Sequence, residues 1–412
     1  MKILFLNPIG SMGGAERCLL DFIAELRRLE PAWELCLISG TPGPLLDEAT
    51  ALGVHAEVLP MPDALAEAGE SSGVLRSHLP FAVFLGNAHR LILAWLCARR
   101  YAAALRKRCL ELRPDALHSN GIKFHLLTHM MRPLGIPAIW HIHDFLSSRR
   151  LLRRALRWAA PAAKLALANS EATARDARSV LGNIPIKTLL NAVDTVRFSP
   201  LAVDGRVLDE LAGLPPVAPE TLRIGLVATY ARWKGQDLFL RAAAHMNRKS
   251  LRFYIVGSPI YKTQGSQFSR AELEGLARSL GLSGRVGFVP FQNAPEHVYR
   301  ALDIVVHAST KAEPFGRTIA EAMSCGRPVI ASFEGGVPEL FKDGRDAIGF
   351  QPRDATALAA AMERLASNDT LRAQLGMNAR QAALERFALA RLGAELVAVF
   401  RGILPQPPSS PA

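Results

Sequence analysis

Short apolar runs alternate with segments of helical period along most of the chain. "KILFLN", "WELCLIS", "VHAEVLP", "DALHSN", "PAIWHIH" and "KLALANS" read as strands, and "AERCLLDFIAEL" and "SEATARDARSVLG" as amphipathic helices between them. Near-continuous hydrophobic strands separated by helices predict a parallel, doubly wound sheet. The pattern breaks in "NAVDTVRFSPLAVDGRVLDELAGLPPVAPE", which holds four prolines and little periodicity. A second series then opens, "LRIGLVAT", "LRFYIVG", "RVGFVP", "DIVVHAS", "RPVIAS" and "AIGF", each strand to be followed by a helix. The pattern thus predicts an N-terminal domain over 1–195, a linker over 196–221, a C-terminal domain over 222–379, a closing helix over 380–404 that packs back on the N-terminal domain, and a disordered Pro/Ser tail over 405–412. Ligands of such sheets bind beyond the carboxyl ends of the strands.

A length of 412 residues agrees with two domains. The five cysteines include no C-x-x-C pair and sit mostly in apolar segments, the pattern of reduced thiols in a cytoplasmic protein. The start "MKILFLNPIG" reads as a first strand and not as a signal peptide. The most apolar stretch, "LPFAVFLGNAHRLILAWLCA", is broken by Asn87, His89 and Arg90, leaving a clean run of eight residues, too short to span a membrane. The net charge of +12 is uneven: between Cys97 and Lys164 stand 14 basic residues against three acidic ones. Such a segment calls for an anionic partner. Nucleic acid fits poorly, since the segment lacks interleaved aromatics and no zinc or helix-turn-helix pattern accompanies it. Within it, Arg149, Arg150, Arg153, Arg154 and Arg157 recur at helical spacing beside Leu151, Leu152, Leu156 and Trp158, the pattern of an amphipathic helix on an anionic membrane surface or of a solvated helix face.

The candidate chemistry lies in "EPFGRTIAEAMSCGRPVIAS", with Glu313 and Glu321 eight residues apart. Pro314 keeps Glu313 out of helical geometry, in the loop after "DIVVHAS". A helix starts near Gly316, Arg317 and Thr318 and ends at Gly326. Free N–H groups at its start attract phosphate, and glycine permits close approach. Carboxylates on either side accept hydrogen bonds from hydroxyls, so the arrangement suits a ligand with phosphate between two polyhydroxylated groups. A nucleotide-sugar has that shape.

These residues resemble the E-x7-E signature of the retaining family 4 glycosyltransferases (glycosyl transferases group 1). The resemblance extends over nearly the whole chain through "GSMGGAERCLLDFIAEL", "HIHDF", "NAVDTVRFSP", "YARWKGQDLFLRA", "IVG", "ALDIVVHAST" and "EGGVPELFKDG", in that order. It implies the GT-B fold, two Rossmann-like doubly wound parallel-sheet domains facing a central cleft. It also implies that Glu321 holds the donor ribose, that Glu313 and His143 lie by the transferred sugar, and that Lys234 neutralises the departing diphosphate. Gly316, Arg317, Thr318, Gly257, Gly13 and Gly14 fall at donor-binding positions. The family arginine expected five or six residues before the lysine is absent here, which leaves Arg232 to supply a second charge. His141, His118, His125 and His129 read as structural. No Asp-x-Asp occurs, so metal-independent chemistry with no cofactor is expected; the resemblance implies that the leaving phosphate takes the acceptor proton on the same face of the sugar. The partners implied are a nucleotide-sugar donor, a saccharide or lipid-linked acceptor in envelope polysaccharide or lipopolysaccharide synthesis, and an anionic membrane surface at the cytoplasmic face. A nucleotide-sugar epimerase, a phosphorylase or a non-catalytic sugar-binding relative are the alternatives. The epimerase would show itself by isomerising donor without acceptor. "PIGSMGGAE" does not match the dinucleotide pattern G-x-G-x-x-G, and the second strand is not followed by an acidic residue.

Overall fold

The computed structural model describes residues 1–66, 82–149, 152–248, 250–259 and 265–404. The tail after Leu404 and residues Arg150 and Leu151 lie outside the described residues. The chain divides into two compact units, Met1–Leu190 with Ala390–Ala412, and Asn191–Leu389.

The first unit is built on a parallel sheet of seven strands, β1 (Lys2–Asn7), β2 (Glu34–Ser39), β3 (His55–Val58), β4 (Ala116–Asn120), β5 (Ala138–Ile142), β6 (Ala163–Ala168) and β7 (Ile186–Thr188), in the order β3-β2-β1-β4-β5-β6-β7. The second has six parallel strands, β8 (Leu222–Val227), β9 (Leu251–Val256), β10 (Val286–Val289), β11 (Ile304–His307), β12 (Val329–Ser332) and β13 (Ile348–Phe350), in the order β10-β9-β8-β11-β12-β13. Helices cover both faces of such sheets, which is why β4, β5, β9, β10, β11 and β12 are buried along their whole length. The strand order reverses between β1 and β4 in one unit and between β8 and β11 in the other. Those reversals are the switch points where loops diverge and open a crevice beyond the strand ends.

The core of the second unit packs Phe239 against Phe253 edge to face, with ring centres 6.0 Å apart, both fully buried. Phe239→Ala there costs about 3–5 kcal/mol by cavity formation.

Four expectations are corrected. The stretch 196–221 is not a free linker: it carries the helix Arg206–Ala212, whose Asp209 is buried inside the second unit. Asp209 accepts from Arg252 Nη1 at 2.6 Å, Tyr254 OH at 2.5 Å and Arg223 Nη2 at 3.3 Å. Burial alone would raise its carboxyl, and these donors outweigh burial and hold it below its ordinary value. The closing helix is two helices, Asp369–Arg386 in the second unit and Leu389–Ile403 in the first, where Phe400 packs 6.4 Å from Phe5. No α-helix joins β12 to β13; the connection holds one 3-10 turn, Val337–Glu339. Finally, the helix Leu152–Ala159 turns its apolar face inward, with Leu156 and Ala159 buried among Trp140, Ile142 and Val180. Its exposed face keeps Arg153, Arg154, Arg157 and Trp158. No helix among the described residues is long and apolar enough to cross a membrane.

Candidate functional site

In the second unit, the loops after β8 and β11 flank the switch point, and each carries one half of an ion pair. Lys234 follows β8 through a 3-10 turn, Arg232–Lys234, and Glu313 follows β11. Lys234 Nζ donates to both Glu313 oxygens, at 2.7 and 2.9 Å. Ser309 Oγ donates to Glu313 Oε2 at 2.7 Å, and His307 Nε2 lies 3.5 Å from the same oxygen. The main chain of Glu313 is fixed too, because its carbonyl accepts from Gly336 N–H at 2.8 Å in the turn of "EGG". Burial works to raise the Glu313 carboxyl, but the Lys234 charge and then His307 outweigh it and hold the group well below the ordinary carboxylate range. Glu313 is therefore a fixed anion across the pH range of biology.

Glu321 sits one helix later, on Arg317–Ser324. Gly316 precedes that helix with φ of +96°, a conformation that side chains rarely adopt, and so turns the chain from the Glu313 loop into the helix. Gly316, Arg317 and Thr318 form the start of the helix, the end that carries the positive pole of the helix dipole. Glu321 is buried and held from two sides: Arg317 Nε donates to Oε1 at 2.8 Å and Tyr299 OH to Oε2 at 2.9 Å. Burial, reinforced by the Glu321 charge, pushes the Tyr299 phenol well above its ordinary value, so it remains a donor. Gly257 closes β9, where a Cβ would stand 2.0 Å from the Ala228 carbonyl oxygen. The second unit thus gathers Lys234, Glu313, Glu321, Gly316, Arg317 and Thr318 around one strand and the helix that follows it.

Arg232 is not brought to the Lys234–Glu313 pair. Its Nη2 donates to Glu272 at 2.6 Å, its Nε to the Gly265 carbonyl at 3.1 Å, and its guanidinium lies 4.3 Å from the centre of the Phe268 ring. Residue count alone suggested otherwise, but the turn aims Arg232 and Lys234 in different directions.

In the first unit, Gly13 stands immediately before the helix Gly14–Leu29, where a Cβ would approach Glu16 Oε2 to 2.9 Å. Glu16 is buried in the first helical turn. Burial pushes its carboxyl up, against its hydrogen bonds. His143, just beyond β5, faces Asn120 at the end of β4, with Nε2 2.5 Å from Asn120 Oδ1. Burial lowers its pKa to about 4, so the imidazole is neutral at pH 7. His141 and His118 lie deeper: His141 stacks on Phe22 with ring centres 4.5 Å apart, and burial pushes His118 down to about 3. Their packing is that of core side chains.

The sequence reading did not single out Tyr299, His307, Ser309, Asn7, Glu16 or Asn120. Four of them share a signal of position: His307, Ser309, Asn7 and Asn120 lie at or just past the carboxyl end of a central strand. Among the described residues, no group of three His, Cys, Asp or Glu side chains is arranged to hold a metal ion.

Two doubly wound parallel units with these strand orders are the GT-B architecture. Residues 216–382 match the family model described as Glycosyl transferases group 1, and residues 12–197 match Glycosyltransferase Family 4. The chain belongs to the family 4 glycosyltransferases. A D-inositol 3-phosphate glycosyltransferase 2 of Catenulispora acidiphila is 35% identical over 217 residues, 49% of this chain and 48% of that protein. The chain thus spans about half the length of this relative. The crystal structure of Anabaena HepE in complex with UDP-glucose is 25% identical, with a TM-score of 0.78 over 98% of this chain and 100% of that one. Sucrose-phosphate synthase from Thermosynechococcus elongatus, 17% identical, shares the fold with a TM-score of 0.77 over 98% of this chain and 99% of that one.

Proposed function

We propose that the protein transfers a sugar, with retention, from a nucleoside-diphosphate donor to a hydroxyl acceptor. The observation that carries this reading is the fixed Lys234–Glu313 pair beside a helix start whose Glu321 is held by Arg317 and Tyr299. The first N–H groups of the helix Arg317–Ser324 and the Lys234 ammonium supply positive potential for a diphosphate. Glu321, with two donors already on it, presents its remaining lone pairs to ribose hydroxyls. Glu313 accepts from hydroxyls of the transferred sugar; in the first unit, the neutral His143 offers an acceptor to a sugar hydroxyl.

In the reaction, the bond from the anomeric carbon to the phosphate oxygen breaks and a bond to the acceptor oxygen forms on the same face. The acceptor proton passes to the leaving phosphate. Charge builds on that phosphate, and a cation already in place stabilises it without reorganisation. Lys234 takes this part, so no divalent ion is needed: activity persists in EDTA, and a rate restored by magnesium or manganese would overturn that part. The HepE complex with UDP-glucose supports a UDP-sugar as donor. A thermal-shift panel of UDP-, GDP-, ADP- and dTDP-sugars tests it, since a ligand at a hundred times its Kd adds about 2.7 kcal/mol. The anomeric coupling of the product in a proton spectrum reports retention.

For the acceptor, the exposed Arg153, Arg154, Arg157 and Trp158 favour a lipid-linked saccharide of envelope or lipopolysaccharide synthesis, met at the cytoplasmic face of a membrane. Each basic residue near an anionic bilayer contributes about 1 kcal/mol. Co-sedimentation with anionic vesicles, weakened by salt and by Arg→Gln at these positions, is expected; equal recovery with neutral vesicles would remove the membrane. The relatives that act on D-inositol 3-phosphate favour a second reading, a small phosphorylated polyol as acceptor. Product formation with D-inositol 3-phosphate in the absence of lipid would select it.

A further inference from the structure

The carboxyl ends of β1 and β4 carry two buried asparagines, and with Glu16 and His143 they form one unbroken line of hydrogen bonds. Asn7 is fully buried and Asn120 nearly so. Asn7 Nδ2 donates to the Ile9 carbonyl at 2.5 Å and to Glu16 Oε1 at 3.3 Å. Asn120 Nδ2 donates to Asn7 Oδ1 at 2.6 Å, and Asn120 Oδ1 faces His143 Nε2 at 2.5 Å.

The direction of every bond in this line follows from its one end that admits no choice. A main-chain carbonyl can only accept, so the atom of Asn7 that faces Ile9 must be the amide nitrogen. Its oxygen then faces Asn120 and must receive a donor, which sets the Asn120 nitrogen towards Asn7. The Asn120 oxygen is left for His143. An amide oxygen has no proton to give, so the neutral imidazole must carry its proton on Nε2. Turning either amide over would set two donors or two acceptors against each other in a buried site, at a cost of about 1–3 kcal/mol for each group left unsatisfied.

We infer that Asn7 and Asn120 are positioning residues which lock His143 in the Nε2–H tautomer and so make its Nδ1 a hydrogen-bond acceptor. The chemical consequence is definite. His143 then offers a lone pair to a hydroxyl and has no proton to donate from Nδ1, so it acts neither as a general acid nor as a cationic contact to phosphate. It selects a ligand group with a donor, a sugar hydroxyl, over one that only accepts. Glu16 anchors the far end, since its carboxylate and the Ile9 carbonyl together engage the Asn7 amide. The catalytic consequence rests on the reading of His143 as a sugar contact, but the tautomer does not.

The test is long-range proton–nitrogen correlation on the full chain labelled with 15N-histidine, with His143 assigned by its loss in His143→Gln. The wild type should show a pyrrole-like Nε2, a pyridine-like Nδ1, and an Hε2 proton protected from exchange and shifted downfield at neutral pH. A proton on Nδ1, protons on both nitrogens, or an Hε2 lost to rapid exchange would overturn the proposal whether or not any variant folds. Asn120→Leu should remove the Hε2 signal and mix the tautomers. It should also lower kcat by about ten- to a hundredfold, the range for a partner that orients a functional imidazole. An unaltered Hε2 or an unaltered kcat in that variant would refute the positioning role. If the chain transferred no sugar at all, the wild-type spectrum would still decide the tautomer, so the two readings fail separately.

Discussion

Lys234→Met, made alone and together with Glu313→Gln, removes the central ion pair from one side and then from both. The two charges lie 2.7 and 2.9 Å apart, with side chains only 21% and 16% exposed. At an effective dielectric of about 20, attraction at that separation is roughly 6 kcal/mol. Desolvation of two mostly buried ions cancels more than half of it, which leaves a coupling of about 2–3 kcal/mol. For a unit of this size that corresponds to roughly 4–12 °C in Tm. Lys234→Met should therefore lower Tm by about that amount, and the double variant should be more stable than the sum of the single effects, because it no longer strands a charge. The pH dependence carries the sign. In the wild type the Glu313 carboxyl is held below its unfolded value, so its contribution is complete above about pH 4.3 and is lost as pH falls through the folded value. Without Lys234, burial drives the same carboxyl above its unfolded value, and protonation then relieves the variant. The gap between wild type and Lys234→Met should be widest at pH 7 and shrink below about pH 5, as read by differential scanning calorimetry. Additive Tm changes at pH 7, or a gap that widens in acid, would refute the pairing. The same variant should lose about a hundredfold or more in turnover, in line with removal of one preplaced stabilising charge.

Three further outcomes follow from the contacts. Glu321→Ala should lower kcat/KM about a hundredfold in steady-state assays without unfolding the chain, whereas Tyr299→Phe, which removes one of the two donors to Glu321, should cost about 1.5–3 kcal/mol of the same quantity at most. Asp209→Asn weakens three buried contacts and leaves Arg223 and Arg252 without a counter-charge, so Tm should fall by the equivalent of about 3–5 kcal/mol while kcat below the transition stays near wild type. Arg232→Ala removes an exposed pair with Glu272, worth about 0–1 kcal/mol, and should reduce turnover far less than Lys234→Ala; an equal loss would give Arg232 the second-charge role that its position in the structure does not support.

Both sheets, most of their strands and the division into two units are legible in the period of apolar residues, because a parallel strand buried on both faces is written locally. The Glu313–Glu321 constellation is legible for a related reason. Glu313, Gly316 and Glu321 lie within nine residues, and the Pro314 and Gly316 signals between them fix where loop becomes helix. What sequence does not show is pairing across distance. Asp209 reads as linker because it lies in a stretch with four prolines and little periodicity and its partners, Arg223, Arg252 and Tyr254, stand up to 45 residues away. The helix Leu152–Ala159 reads as either membrane-facing or a solvated helix face, because periodicity reports that one face is apolar without saying what covers it; Leu156 is covered by the unit's own core. Arg232 reads as a second charge because it is near Lys234 in number, while the 3-10 turn points it at Glu272.

One physical rule links the residues that escaped. A strand in the middle of a parallel sheet is apolar along most of its length, and at its carboxyl end it leaves the core and meets the crevice at the switch point. A polar side chain on the last position of such a strand is costly unless something satisfies it. Asn7, Asn120 and His307 all occupy that position, and each is buried. In the first unit the cost is met by joining Asn7 and Asn120 to each other and on to Glu16 and His143; in the second, His307 and Ser309 are joined to Glu313, and through it to Lys234. An Asn or His on the last residue of a central strand is thus a signal to be read beside the glutamate spacing. It marks the one place in a doubly wound sheet where burial and ligand access coincide.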